Sequence, residues 1–260
     1  MDFVHLQCQS EYSVKNSLVR VSKLIDSVKE AGMGSVALTD DMSLFSAIKF
    51  YQKATSAGIK PIIGAKISVD FDLGHYDVLL LCQNHEGYLN LSELISKAYL
   101  NEQGISIVSV TEEQLISHQK GLLMIATPIS SDVSQLLLLN ELELAHTKAK
   151  NWQAIFKDRY YISAQRTDRH ADENLLNLTI ELGLKLDIPV VATNDVQFLS
   201  KSDYDAHEAR ICIAEGALLD DSRRLKFFSD SQYLKTADEM SELFKDYPQL
   251  IANASEVAKR

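Results

Sequence analysis

Cysteine is scarce: 260 residues carry three, at positions 8, 82 and 212, an odd number without CxxC spacing. That excludes a disulfide framework and reads as reduced thiols in a cytoplasm, where the glycosylation-like triplets at Asn90 and Asn177 mean nothing. Four prolines and ten glycines exclude a low-complexity or collagen-like chain. Positive charge is short as well, with 26 Lys and Arg against 36 Asp and Glu, a net charge of −10. A surface that acidic repels phosphate backbones, and no basic stripe marks an extended nucleic-acid groove. The longest wholly apolar runs, such as Val78–Cys82 and Leu136–Leu139, fall far short of a bilayer span. No charged-then-apolar leader is expected, because Met1-Asp2 runs straight into a strand-like segment. GxSxG, P-loop and GxGxxG motifs are missing, and nothing arranges Ser, His and Asp as a triad.

What is present is an alternation of apolar strand runs with helix-period segments. Phe3–Gln7, Ser35–Leu38, Lys60–Ile67, Asp77–Leu81, Gly121–Ala126, Tyr160–Ala164 and Pro189–Thr193 read as strands. Val21, Leu24, Ile25 and Val28 fall at i, i+3, i+4, i+7, the spacing of an amphipathic helix, with Gly32 placed to end it. Leu44 to Ala57 reads as a helix with Leu44, Ala47, Ile48 and Tyr51 on its apolar face. Helices are also expected over 87–100, 111–118, 131–139, 141–156, 172–186, 201–214, 237–244 and 248–259, with a Thr111/Gln114 capping box, and 215–230 is expected to be irregular. Repeated strand–helix units predict an α/β fold with a parallel sheet inside and helices outside. Roughly six or seven such units suit a closed barrel better than an open sheet. No Pro/Gly/Ser-rich linker and no fixed-period repeat interrupts 1–260, so one domain is expected.

In such a barrel the chemistry sits at the C-terminal ends of the strands. The polar residues there are Gln7, Gln9, Asp40, Asp41, Lys66, Ser163, Asn194, Asp195 and Gln197, with Asp77 near a strand start and Pro128 past another strand. Clustered carboxylates at strand ends can hold Mg²⁺ or Mn²⁺. They can equally cap the helices that follow, since Asp is a favoured N-cap. His207 reads either as a hydrogen-bond anchor for the cleft or as a satisfied core histidine, and His5 alone cannot hold a metal. Trp152 with Ile155 and Phe156 reads as core rather than an interdomain face.

Several segments, in order, resemble one family. Phe3-Val-His-Leu-Gln-Cys-Gln-Ser-Glu-Tyr-Ser13 is similar to the first motif of PHP (polymerase and histidinol phosphatase) domains, in the version that opens bacterial DNA polymerase III alpha subunits. Leu38-Thr-Asp-Asp-Met-Ser-Leu44 resembles the second motif, and Gly58-Ile-Lys-Pro-Ile-Ile-Gly64 the third. Gly87-Tyr-Leu-Asn-Leu91, Ile95-Ser-Lys-Ala-Tyr99, Val191-Ala-Thr-Asn-Asp195, Asp205-Ala-His-Glu208, Leu219-Asp-Asp221 and 233–244 continue the likeness across essentially the whole chain. The resemblance implies a distorted TIM-like barrel of parallel strands with outer helices. It also implies the N-terminal piece of a longer DNA-directed DNA polymerase, with the remaining polymerase domains, and DNA bound through them, beyond Arg260. The proofreading exonuclease subunit would be a docking partner, and Mg²⁺ would belong to the polymerase site outside this piece. Arg223, Arg224 and Lys226, the compact basic cluster, would then touch DNA or a neighbouring domain, or form a solvated loop.

The departures from the family pattern bear on chemistry. Where metal-bearing members carry ligands, the resemblance aligns Gln7, Gln9, Asn16, Asp41, Lys66, Asp77, Pro128 and Gln197, so that only Asp195 stands among the usual ligands; Asp40 also survives but is not one. A zinc or manganese cluster needs imidazole, thiolate or carboxylate donors. Gln offers a neutral amide oxygen and Pro nothing. An ammonium about 4 Å from a divalent ion is opposed by roughly 8 kcal/mol at an effective dielectric near 20. The expectation is therefore a cleft without metal, catalytically silent, in which Asp40, Asp41, Asp77 and Asp195 converge and Lys66 neutralises one or more of them. The rivals are a live metal-dependent phosphoesterase, acting as proofreading exonuclease or pyrophosphatase, and a stand-alone small-molecule phosphatase.

Overall fold

The spacing of Val21, Leu24, Ile25 and Val28 forms helix α1 (Val21–Glu30), and all four side chains are buried. The computed structural model describes residues 3–71, 74–101, 107–221 and 223–260. Met1 and Asp2, where the leader question arose, and Ser222 within the segment expected to be irregular, lie outside them.

Among the described residues, seven strands form one sheet: β1 (Ser35–Asp41), β2 (Lys60–Phe71), β3 (Gly74–Cys82), β4 (Val110–Thr111), β5 (Leu122–Ala126), β6 (Tyr160–Ala164) and β7 (Val190–Ala192). They lie in the order β1-β2-β3-β5-β6-β7, with β4 paired to β2. The other helices described are α2 (Ala47–Ala57), α3 (His85–Asn101), α4 (Glu112–Ser117), α5 (Asp132–Leu138), α6 (Leu142–Phe156), α7 (Asp172–Leu186), α8 (Tyr204–Glu215), α9 (Ala237–Leu243) and α10 (Pro248–Lys259). The Thr111/Gln114 capping box is present at the start of α4. This is the TIM-like architecture expected, a curled sheet with helices around it, with one correction. The strands are not all parallel: β3 runs antiparallel to both β2 and β5. Only residues 72 and 73 separate β2 from β3, far too few for the dozen-residue crossover a parallel pair needs. Expected boundaries of 60–67 and 77–81 left nine residues between the strands, itself short of such a crossover, so the gap already pointed to a hairpin.

The N-terminal segment is a stave of a different kind. Ala37 donates to the His5 carbonyl at 2.8 Å and Thr39 to that of Cys8 at 2.8 Å. On the other side Val196 donates to Gln7 at 3.0 Å and Gln9 to Val196 at 3.1 Å. Residues 5–9 thus join the β1 edge to the chain just past β7, without making a regular ladder.

Both faces of the sheet are covered, which is why Val78–Leu81 is continuously apolar. Val78 and Leu80 pack with Trp152, Phe156 and the outer helices, whereas Leu79 and Leu81 pack with Phe3, Leu6, Phe244 and Ile251. Trp152 is core, as expected, its indole N–H donating to Asp132 Oδ2 at 2.8 Å. Two motif glycines are required by close approach. A Cβ on Gly64 would sit 2.5 Å from the Leu80 carbonyl oxygen, and one on Gly87 would run into the Gly121 backbone. Helix α2 departs from expectation: Ala47, Phe50 and Ala54 are buried, whereas Ile48 and Tyr51 are exposed.

A candidate cleft with an internal cation

The β1–β2 register places Asp41 directly beside Lys66, and the β2–β3 register places Ser68 beside Asp77. Lys66 and Ser68, two residues apart on one strand, share a face. The Lys66 ammonium consequently lies between two carboxylates, 3.4 Å from Asp41 Oδ1 and 3.5 Å from Asp77 Oδ2. Ser68 Oγ donates to Asp77 Oδ1 at 2.7 Å, and Asn16 Nδ2 to Asp41 Oδ2 at 3.1 Å. Asn16 is held in turn from α8, where His207 Nε2 donates to its carbonyl at 2.7 Å. His207 is fully buried between Phe198 and Phe228, and burial pushes its pKa down; its Nε2 fits the anchoring reading, whereas its Nδ1 has no partner, so it is not a fully satisfied core histidine.

The charges respond to this packing. Burial raises the Asp41 carboxyl above the ordinary aspartate range, Lys66 opposes the rise and Asp77 adds to it. Burial alone would lower Lys66, but Asp41, Asp77 and Asp195 outweigh it and hold the ammonium above the ordinary lysine value. The cation is a fixed part of the cleft.

Asp195 is organised differently, by amides. Gln7 Nε2 and Gln197 Nε2 each donate to its Oδ1 at 2.8 Å, and Gln232 Nε2 donates to Oδ2 at 2.8 Å. Its backbone is left-handed, with φ of 48°, a conformation Asp tolerates better than most residues. The three glutamines are almost fully buried, as is Gln9. The side-chain oxygens of Gln7, Gln9 and Gln197 accept no bond from the protein.

Asp40 does not join this group, contrary to the expected convergence of four aspartates. Neighbouring residues on a strand point to opposite faces, and Asp40 points away from Asp41. It accepts from the Ser10 N–H at 2.6 Å, Ser10 Oγ at 2.8 Å, Ser13 Oγ at 2.8 Å and Ser46 Oγ. It ties the turn after the N-terminal segment to the approach to α2. Pro128 is buried just past β5, its carbonyl accepting from Ser130 N–H at 2.7 Å. Ser163 Oγ donates to Ala126 O at 2.8 Å, a tie between strands. His5 Nε2 bonds to the Lys235 carbonyl at 2.8 Å, and burial lowers its pKa to about 4. Of the basic cluster, Arg223 pairs with Asp221 at 2.9 Å and Arg224 with the buried Glu208.

Gln232 and Ser68 were not anticipated. Ser68 lies one residue past the expected strand end at Ile67, and the observed strand runs on through it to Phe71, placing it on the Lys66 face. Gln232 had no local signal, because it comes from a non-repetitive stretch that only the fold brings to Asp195. Among the described residues, no three His, Cys, Asp or Glu side chains are grouped to hold a metal ion. What the cleft offers is one aspartate surrounded by amide donors and two aspartates sharing an ammonium. Such a donor set does not fit a zinc or manganese cluster. Among the same residues, no helix is long and apolar enough to cross a membrane.

The PHP domain family model matches residues 5–167. The DNA polymerase III alpha subunit of Pseudomonas fluorescens is 42% identical over 99% of this chain, and that of Escherichia coli K12 is 38% identical over 99%. The chain spans 22% of the length of each of these relatives. Among solved structures, an amidohydrolase from Chromobacterium violaceum superposes with a TM-score of 0.58 at 11% identity, covering 80% of this chain and 96% of that one. At that identity the likeness concerns the fold alone. The chain therefore belongs to the PHP domain family.

Proposed function

We propose that this chain is the PHP domain of a replicative DNA polymerase III alpha subunit, working in the cytoplasm as scaffold and not as a hydrolase. The single observation that carries this reading is the Lys66 ammonium between Asp41 and Asp77. An internal cation there supplies the positive charge that a metal would otherwise bring and repels any divalent ion that approaches. Polymerisation, with its Mg²⁺, belongs to the rest of such a polypeptide. The domain's part is to support the polymerase core and to offer a docking surface to the proofreading exonuclease subunit.

The test is metal analysis of the purified protein, with hydrolysis of a generic phosphodiester and thermal unfolding with and without excess EDTA. Less than stoichiometric zinc or manganese, no metal-dependent hydrolysis and an unchanged Tm are expected. A tightly held stoichiometric transition ion, or hydrolysis abolished by the chelator, overturns the silent role. Failure of the exonuclease subunit to associate overturns the docking role independently.

A further inference from the structure

Helix α2 has two apolar faces. Ala47, Phe50 and Ala54 turn inward and are buried. On the other side Ile48 and Tyr51 remain 69% and 53% exposed, and Phe45 just before the helix is 79% exposed. Beside this second face lies an open groove of about 630 Å³ between α2 and the start of α3, floored by Pro61, Ile63 and Cys82. No Asp, Glu, Lys or Arg lines the groove. It thus carries no acidic side chain and no lysine or arginine, in a chain of net charge −10.

An apolar groove that lacks such charges is the surface of a permanent interface. Transient partners are steered by charge, whereas obligate contacts resemble a core cut in two. Large exposed apolar patches on a soluble fold mark such contacts. We infer that the α2–α3 groove is the seat of another part of the same polypeptide, an apolar helix or loop from the region beyond residue 260. This rests on the proposed function, under which the 22% coverage of the relatives leaves most of the polypeptide outside this chain. The geometry favours a partner in the same chain. Pro61 and Ile63 lie at the start of β2, and antiparallel β3 delivers Cys82 to that same end of the sheet. Arg260 is anchored at that end too, bonding Tyr161 Oη at 2.9 Å near the start of β6. A continuation past Arg260 sets out from the end where the groove lies, and tethering raises its local concentration there without any charge steering.

The test uses the full-length parent chain. In hydroxyl-radical footprinting, Ile48 and Tyr51 are expected to react at least tenfold more slowly than in the isolated domain, with Leu184 and Leu139, which are 81% and 71% exposed, serving as internal references. Ile48→benzoylphenylalanine, at an exposed position that spares the fold, is expected to give intrachain photo-crosslinks to peptides beyond residue 260. Reactivity equal to that in the isolated domain, or crosslinks chiefly to a second copy or to added exonuclease subunit, overturns the inference. A parent reading frame that encodes no polymerase overturns the proposed function itself, a separate outcome.

Discussion

Replacing Lys66 by Met tests the central feature of the cleft. The variant keeps an apolar stem of similar length but removes the ammonium, leaving Asp41 and Asp77 facing each other. At 3.4 and 3.5 Å, with an effective dielectric near 20, each contact contributes about 5 kcal/mol of gross attraction. Desolvation of the ions offsets several kcal/mol of that sum. The side chains are 17%, 30% and 22% exposed, so solvent screens part of the remainder. The expected net loss is about 3 kcal/mol, the low end for breaking a buried pair. For a chain of this size that is a fall in Tm of about 6–12 °C at neutral pH, readable by calorimetry or circular dichroism. The pH dependence gives a second handle. Burial already raises Asp41 in the folded state, and Lys66 is the group opposing that rise. Without it the folded variant binds more protons than the unfolded chain at mildly acidic pH, so its deficit against wild type must shrink as pH falls. In the wild type, Lys66 is raised in the folded state, so its contribution is full below the ordinary lysine value of 10.5 and is lost as pH rises through the folded value. A variant within a degree or two of wild type at neutral pH, or a deficit that does not change with acidity, would refute the reasoning.

Asp195→Ala strands three buried glutamine amides and puts alanine in a left-handed conformation, so a loss of about 3 kcal/mol is expected in urea unfolding, with Asp195→Asn costing less. Trp152→Phe removes the donor to Asp132, whose carboxyl burial has already raised, and should cost about 1–3 kcal/mol. That cost should shrink on acidification as Asp132 takes up a proton, measured by Tm against pH. Gly64→Ala drives a methyl against the Leu80 carbonyl and should cost about 1–3 kcal/mol in the same unfolding assay, whereas Gly34→Ala, with open space at its Cβ, should fall within about 1 kcal/mol of wild type.

The identities of the donors were readable in the sequence alone. Gln7, Gln9, Lys66 and Gln197 are what they are in any fold, and a pocket built from amides and an ammonium has its ligand chemistry written in its residue types. The helix of Val21 to Val28 and the Thr111 cap were readable because they depend on neighbours within one or two turns. Other features depend on pairs far apart in the chain, and these the tertiary structure decided. It carried Gln232 to Asp195 across a sequence separation of 37, and pointed Asp40 into a ring of serine donors, away from Asp41 beside it. It also chose which apolar face of α2 to bury. Periodicity counts the apolar residues on a helix, but only the packed neighbours determine which of two such faces meets the core and which is left open to a partner.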